Sequence, residues 1–132
     1  MESPVKELRV AVTVAEYEQS FRFYRDALGL PVVESWDDGE GRAGVILDAG
    51  RATLELLSGP QTELVDEIEV GRRGVSGPVR LALEVEDSTT TATALADAGA
   101  EFVGDPVVTP WGHRNVRLRA PDGMQLTLFT VP

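Results

Sequence analysis

The chain says nearly the same thing twice. Arg9-Val10-Ala11 recurs as Arg80-Leu81-Ala82. Ala11 stands 18 residues before Gly29, and Ala82 stands 17 before Gly99. Arg9 stands 46 residues before Glu55, and Arg80 stands 47 before Thr127. Matched landmarks at matched spacing mark an internal repeat. A unit of this size buries too little surface to be stable alone, so the halves are expected to share a sheet or core. The repeat divides the chain into a first module over 5–58, a connection over 59–78 and a second module over 79–132, within one domain spanning 1–132.

Periodicity gives both halves the same content. Residues 8–14 alternate, with Leu8, Val10, Val12 and Val14 on one side and Arg9, Ala11 and Thr13 on the other, which predicts a half-buried strand. Over 16–28 the period lengthens: Phe21, Tyr24, Ala27 and Leu28 recur at helical spacing, with Gly29 as the stop. Three strands are predicted next, over 31–36, 43–48 and 52–57. The connection opens and closes on Ser-Gly-Pro. Its middle, over 63–70, is left open between a helical turn and a short strand. The pattern then restarts with a strand over 79–85 and a helix over 88–98, capped by Asp87 or Ser88 and stopped by Gly99. Strands near 101–103, 114–119 and 124–130 follow, the last two joined by the Ala120-Pro121-Asp122-Gly123 turn. The fold class is α+β, built of tandem βαβββ modules.

If each helix covers the apolar side of its strands, the opposite side carries Arg9, Ala11, Thr13, Thr53, Glu55, Leu57, Arg80, Ala82, Glu84, Asn115, Arg117, Arg119, Gln125, Thr127 and Phe129. A flat, exposed sheet face would carry a similar set. Small residues mixed with long arginines, and Trp111-Gly112 in the adjoining loop, favour a curved and partly enclosed surface.

Composition narrows the function. The net charge of -10 repels phosphate backbones and anionic lipid, so neither nucleic acid nor a membrane is an expected partner. The absence of cysteine removes disulfides, thiolate metal sites and cysteine nucleophiles. No apolar run reaches the length of a membrane span, and the first residues lack the features of a signal peptide, so a cytoplasmic location is the simplest expectation. No serine stands in a Gly-x-Ser-x-Gly elbow, and Gly71-Arg72-Arg73-Gly74 lacks the spacing of a phosphate loop.

Three strings carry a family resemblance: Ser20-Phe21-Arg22-Phe23-Tyr24-Arg25-Asp26-Ala27-Leu28-Gly29-Leu30, Leu54-Glu55-Leu56 and Pro121-Asp122-Gly123-Met124-Gln125-Leu126. Through them the chain resembles the vicinal oxygen chelate superfamily of glyoxalases, bleomycin resistance proteins and extradiol dioxygenases. The resemblance implies a cup-shaped mixed sheet in a homodimer. It also implies four metal-ligand positions, which fall at Arg9, Glu55, Arg80 and Thr127. Only Glu55 keeps ligand chemistry. A guanidinium has no lone pair to offer and repels a divalent cation. No metal or other cofactor is therefore expected. Arg9 and Arg80 are expected to pair with Glu55 and Glu84, so that Arg9, Glu55, Arg80, Glu84 and Thr127 form a structural charge network where the family holds its ion.

The aromatic residues supply the leading functional reading. Trp36, Trp111 and Phe102 are expected to stack on a planar ligand, since flat rings give large contact area at little entropic cost. Leu47, Glu55, Leu57, His113, Asn115 and Arg117 complete the expected ligand-binding set, with no catalytic residue assigned. The expected function resembles that of the family's drug-binding branch. A metal-independent protein would sequester an aromatic or polycyclic natural product and confer antibiotic self-resistance. The alternatives are a metal-independent isomerase, lyase or cyclase of a biosynthetic pathway, and an interaction domain with no small ligand.

Overall fold

The structure is a computed structural model and describes residues 10, 12, 14, 16–52 and 58–132, without the Trp36 side chain. The strands expected over 8–14 and 52–57 therefore lie mostly outside the described residues. The chain divides into two compact units, Met1–Leu56 and Leu57–Pro132. The connection belongs to the second.

In the first unit, helix α1 (Tyr17–Arg22) runs directly into a wider π-helical turn over Phe23–Ala27. The Leu28 amide donates to the Phe23 carbonyl at 3.0 Å, five residues back, which is the bond that defines the wider turn. Phe23 and Ser20 are buried, while the Arg25 guanidinium lies over the Phe21 ring, 4.4 Å from its centroid. Strands β1 (Val32–Asp37) and β2 (Ala43–Leu47) pair antiparallel, with a bulge between Val32 and Glu34. The Asp38 carboxylate accepts the Glu40 and Arg42 amides and closes the turn between them.

The second unit holds a mixed five-stranded sheet. Its strands are β3 (Leu81–Glu84), β4 (Glu101–Phe102), β5 (Val107–Val108), β6 (Arg114–Arg119) and β7 (Gln125–Thr130). The order is β3-β7-β6-β4, and β5 pairs with β6 beyond the end of β4. β3 runs parallel to β7, and the remaining pairs are antiparallel. Helix α3 (Ser88–Asp97) begins on Asp87, whose carboxylate accepts the Thr89 and Thr90 amides at 3.1 and 3.2 Å. Ala92 and Leu95 of α3 and Val116, Leu118, Leu126 and Leu128 of β6 and β7 are all buried. The even-numbered residues of both strands form this core, as two-residue alternation requires.

The connection holds helix α2 (Gly59–Val70), longer than the expected turn or short strand over 63–70. Ser58 caps it, its hydroxyl accepting the Gln61 amide at 3.2 Å. Gly71 ends it at φ +81°, a left-handed conformation that glycine adopts without strain. Its buried residues are Val65, Asp66 and Glu69. Two carboxylates on the covered side hide the apolar stripe by which a helix is recognised in sequence. The C-terminal end of α2 lies against the loop after β4. A Cβ added at Gly104 would stand 3.1 Å from the Glu69 carbonyl oxygen and 3.2 Å from the Val70 Cα.

Leu95→Ala, at a fully buried position, is expected to lower unfolding stability by about 2–5 kcal/mol. Leu64→Ala, on the exposed side of α2, is expected to change it by less than about 0.5 kcal/mol. Urea unfolding of the two variants checks both.

Candidate functional site

The odd-numbered residues of β6 and β7 point away from the α3 core. Register brings Asn115 opposite Phe129, Arg117 opposite Thr127 and Arg119 opposite Gln125. β3 adds Ala82 beside Thr127 and Glu84 beside Phe129. This is the polar face on which the sequence reading placed the second module's share of the site.

At its centre Arg117 is fully buried. Its Nη1 donates to Asp66 Oδ1 at 3.0 Å, Gln125 Oε1 at 3.1 Å and Ser76 Oγ at 3.2 Å, and its Nη2 donates to Glu69 Oε1 at 3.0 Å. Both carboxylates come from α2, so the helix seats on this face by charge. Asp66 also accepts the Val75 and Ser76 amides at 3.0 and 2.9 Å and the Ser76 hydroxyl at 2.5 Å. The Gln125 side-chain amide donates to the Val75 carbonyl. Burial of Asp66 works to raise its pKa. The Ser76 hydroxyl and amide, together with Arg117, outweigh burial and hold it below the ordinary 3.8.

The network continues to β3. Thr127 Oγ1 donates to Glu69 Oε1 at 3.4 Å and accepts from Arg80 Nη1. Arg80 and Thr127 are two of the four positions that the resemblance assigns to metal ligands. One is a cationic donor hydrogen-bonded to the other, a neutral hydroxyl. These two do not fit a divalent ion. Arg9 and Glu55 lie outside the described residues. Among the described residues, no group of three or more His, Cys, Asp or Glu is placed to hold a metal. Arg80 donates to Thr127, and Glu84, the other expected member of the charge network on β3, is exposed.

The remaining expected site residues scatter. His113 stacks on Phe129, with ring centroids 5.5 Å apart and planes 12° from parallel, and both are half-buried. Asn115 stands between them and Arg117 and is buried. Trp111 is half exposed in the loop before His113. Phe102 is in register with Leu118, which puts it on the α3 side, away from Asn115 and Arg117. Within this unit it cannot share their site. Arg117, expected to orient a ligand, has its terminal nitrogens committed to α2 and Gln125. Leu47, paired with Val32, and the backbone of Trp36 belong to the hairpin of the first unit. Leu57 lies outside the described residues, as does the Trp36 side chain. Sequence reasoning missed Asp66, Glu69 and Ser76. The two acidic residues sit three apart in a segment without apolar periodicity, and nothing local distinguishes them from solvated charges.

Asp66→Ala leaves Arg117 half-paired in the interior, and a loss of about 3–5 kcal/mol is expected in urea unfolding. The depressed Asp66 pKa also sets a pH dependence. Its contribution is complete above the carboxylate's ordinary value and fades as pH falls through the lower folded value. Asp66→Asn is expected to flatten that acid-side decline in the urea midpoint.

Comparison with known proteins agrees with this architecture. The model of the Glyoxalase/Bleomycin resistance protein/Dioxygenase superfamily matches residues 8–128. The uncharacterized protein YraH of Bacillus subtilis (strain 168) is 31% identical over 128 residues, covering 95% of this chain and 98% of that one. The hypothetical protein SA1046 from S. aureus superposes with a TM-score of 0.65 at 18% identity, over 98% of this chain and 96% of that one. A superfamily member from Sphaerobacter thermophilus DSM 20745 does so at 0.61 and 22%, over 96% and 98%. A lactoylglutathione lyase from Agrobacterium tumefaciens does so at 0.60 and 20%, over 97% and 96%. The chain, an α+β protein with a mixed sheet, belongs to the glyoxalase/bleomycin resistance protein/dioxygenase superfamily.

Proposed function

We propose that this protein is a metal-independent binder that sequesters an aromatic or polycyclic natural product and so protects its host from a toxic small molecule. The carrying observation is the Arg80–Thr127 hydrogen bond at two of the family's metal-ligand positions. A guanidinium there disfavours a divalent cation and the Lewis-acid chemistry the cation would supply. Binding without turnover is what this face then offers. The parallel His113 and Phe129 rings, half-buried beside Asn115, support a flat ligand, because a third ring can extend an existing stack. Trp111, half exposed in the adjoining loop, gives such a ligand a further apolar surface. The net charge of -10 favours cationic compounds over anionic ones. In this reading the two modules form a cup, two chains pair as a homodimer, and the protein works in the cytoplasm.

A panel of planar antibiotics and polycyclic natural products tests the proposal. Quenching of tryptophan fluorescence and an upward thermal shift are expected at about one ligand per cleft, with the ligand recovered unchanged. A panel that produces neither signal overturns sequestration, and chemical conversion of a bound compound makes the protein an enzyme instead. Equilibrium dialysis against zinc, nickel, manganese and iron is expected to find no stoichiometric ion. A tightly held ion would remove the argument from Arg80.

A further inference from the structure

We propose that Glu84 is the counter-ion for the ligand's charge, and that the sequestered molecule is therefore a planar aromatic cation. The proposal rests on the sequestration reading and names the ligand class for the same face. On this face Arg117 is matched by Asp66 and Glu69, Arg80 donates to Thr127, and Arg119 stands 3.6 Å from Glu101. Glu84 differs from them. It is exposed, and among the described residues its carboxylate has no hydrogen-bond or ion-pair partner.

The sheet puts that unmatched charge next to the ring stack. β7 lies between β3 and β6. Phe129 therefore has Asn115 on one flank and Glu84 on the other, each its register partner. Neighbouring strands lie about 4.8 Å apart, so the side chains of Glu84 and Phe129 leave the sheet side by side. His113 directly precedes β6, and its ring stacks on Phe129 from that flank. The β3 flank of Phe129 is left to Glu84. Helix α2 seats two residues further along these strands, on Arg117 and Thr127. Glu84 is exposed and the two rings are only half-buried, so this row opens to solvent.

Such a row discriminates by charge as well as by shape. The face of an aromatic ring carries partial negative charge and attracts a cation. A ring cation keeps the contact area of a flat molecule and adds that attraction. Its positive charge also meets the Glu84 carboxylate beside the same ring. A neutral flat molecule gains the stack alone. A flat carboxylate or sulfonate meets Glu84 with like charge and is disfavoured. The net charge of -10 draws every cation alike, whereas Glu84 favours a cation that also lies on the rings.

Equilibrium dialysis at neutral pH tests the assignment with three compounds: 9-aminoacridine, a ring cation; acridine, its neutral analogue; and cyclohexylammonium, a cation without a flat ring. 9-Aminoacridine is expected to bind at least about fivefold tighter than either of the others. Glu84→Gln, a conservative change at an exposed position, is expected to reduce the preference over acridine to about twofold or less. Asp97→Asn, at the exposed end of α3, removes the same unit of charge far from the rings and is expected to leave the preference intact. Equal affinity for 9-aminoacridine and either comparison compound overturns the assignment. So does a preference that survives Glu84→Gln or falls equally in Asp97→Asn. Equal binding of 9-aminoacridine and acridine leaves sequestration standing. Failure of all three to bind also overturns the assignment. Sequestration then still stands if other planar compounds quench tryptophan fluorescence, and falls with the assignment if none does.

Discussion

A guanidinium in the middle of a sheet must be matched by opposite charge, or the fold cannot hold it there. Arg117 is fully buried, and removing one partner from such a group costs several kcal/mol because the remaining charge stays out of water. Asp66 and Glu69 meet that demand from α2. The position of the helix, the direction of the chain after Gly71 and the placing of Val75 and Ser76 all follow from satisfying one side chain. Gln125 closes the arrangement by accepting from Arg117 and donating to the Val75 carbonyl. Apolar contact alone would let the helix slide over the sheet. Hydrogen bonds to two separate carboxylates one turn apart define its register.

The same interaction shapes the polar face of the second unit's sheet. Carboxylates from the chain itself occupy the centre of the second unit's polar face. Through Glu69 and Thr127 the network reaches Arg80, so β3 and β7 join the charge system that seats α2. The end of the face beyond Arg117 is different in kind. There the parallel rings of His113 and Phe129 stand next to the buried Asn115.

Much of the second unit was legible in the residues. Alternation placed Val116, Leu118, Leu126 and Leu128 in the core and Asn115, Arg117, Thr127 and Phe129 opposite them, because side-chain direction along a strand is a local property. Asp87 announced α3, since a carboxylate before a run of helix formers satisfies free amides wherever it stands. The side that Phe102 takes could not be read from the residues, because its strand is only two residues long, too short for alternation to establish itself. The π-helical turn at Phe23–Ala27 left no signal distinct from a continuous α-helix.

By itself, the sequence determined strands β3, β4, β6 and β7, helix α3 and the side of the sheet that the residues of β6 and β7 take. Each of these depends on residue type or on neighbours a few positions away. Only the tertiary structure decided what covers the polar face. Asp66 lies 51 residues before Arg117, and nothing near it in the chain shows that its carboxylate is buried rather than solvated. Charge pairing across that separation depends on where the folded backbone brings the two groups, and local periodicity carries no record of it.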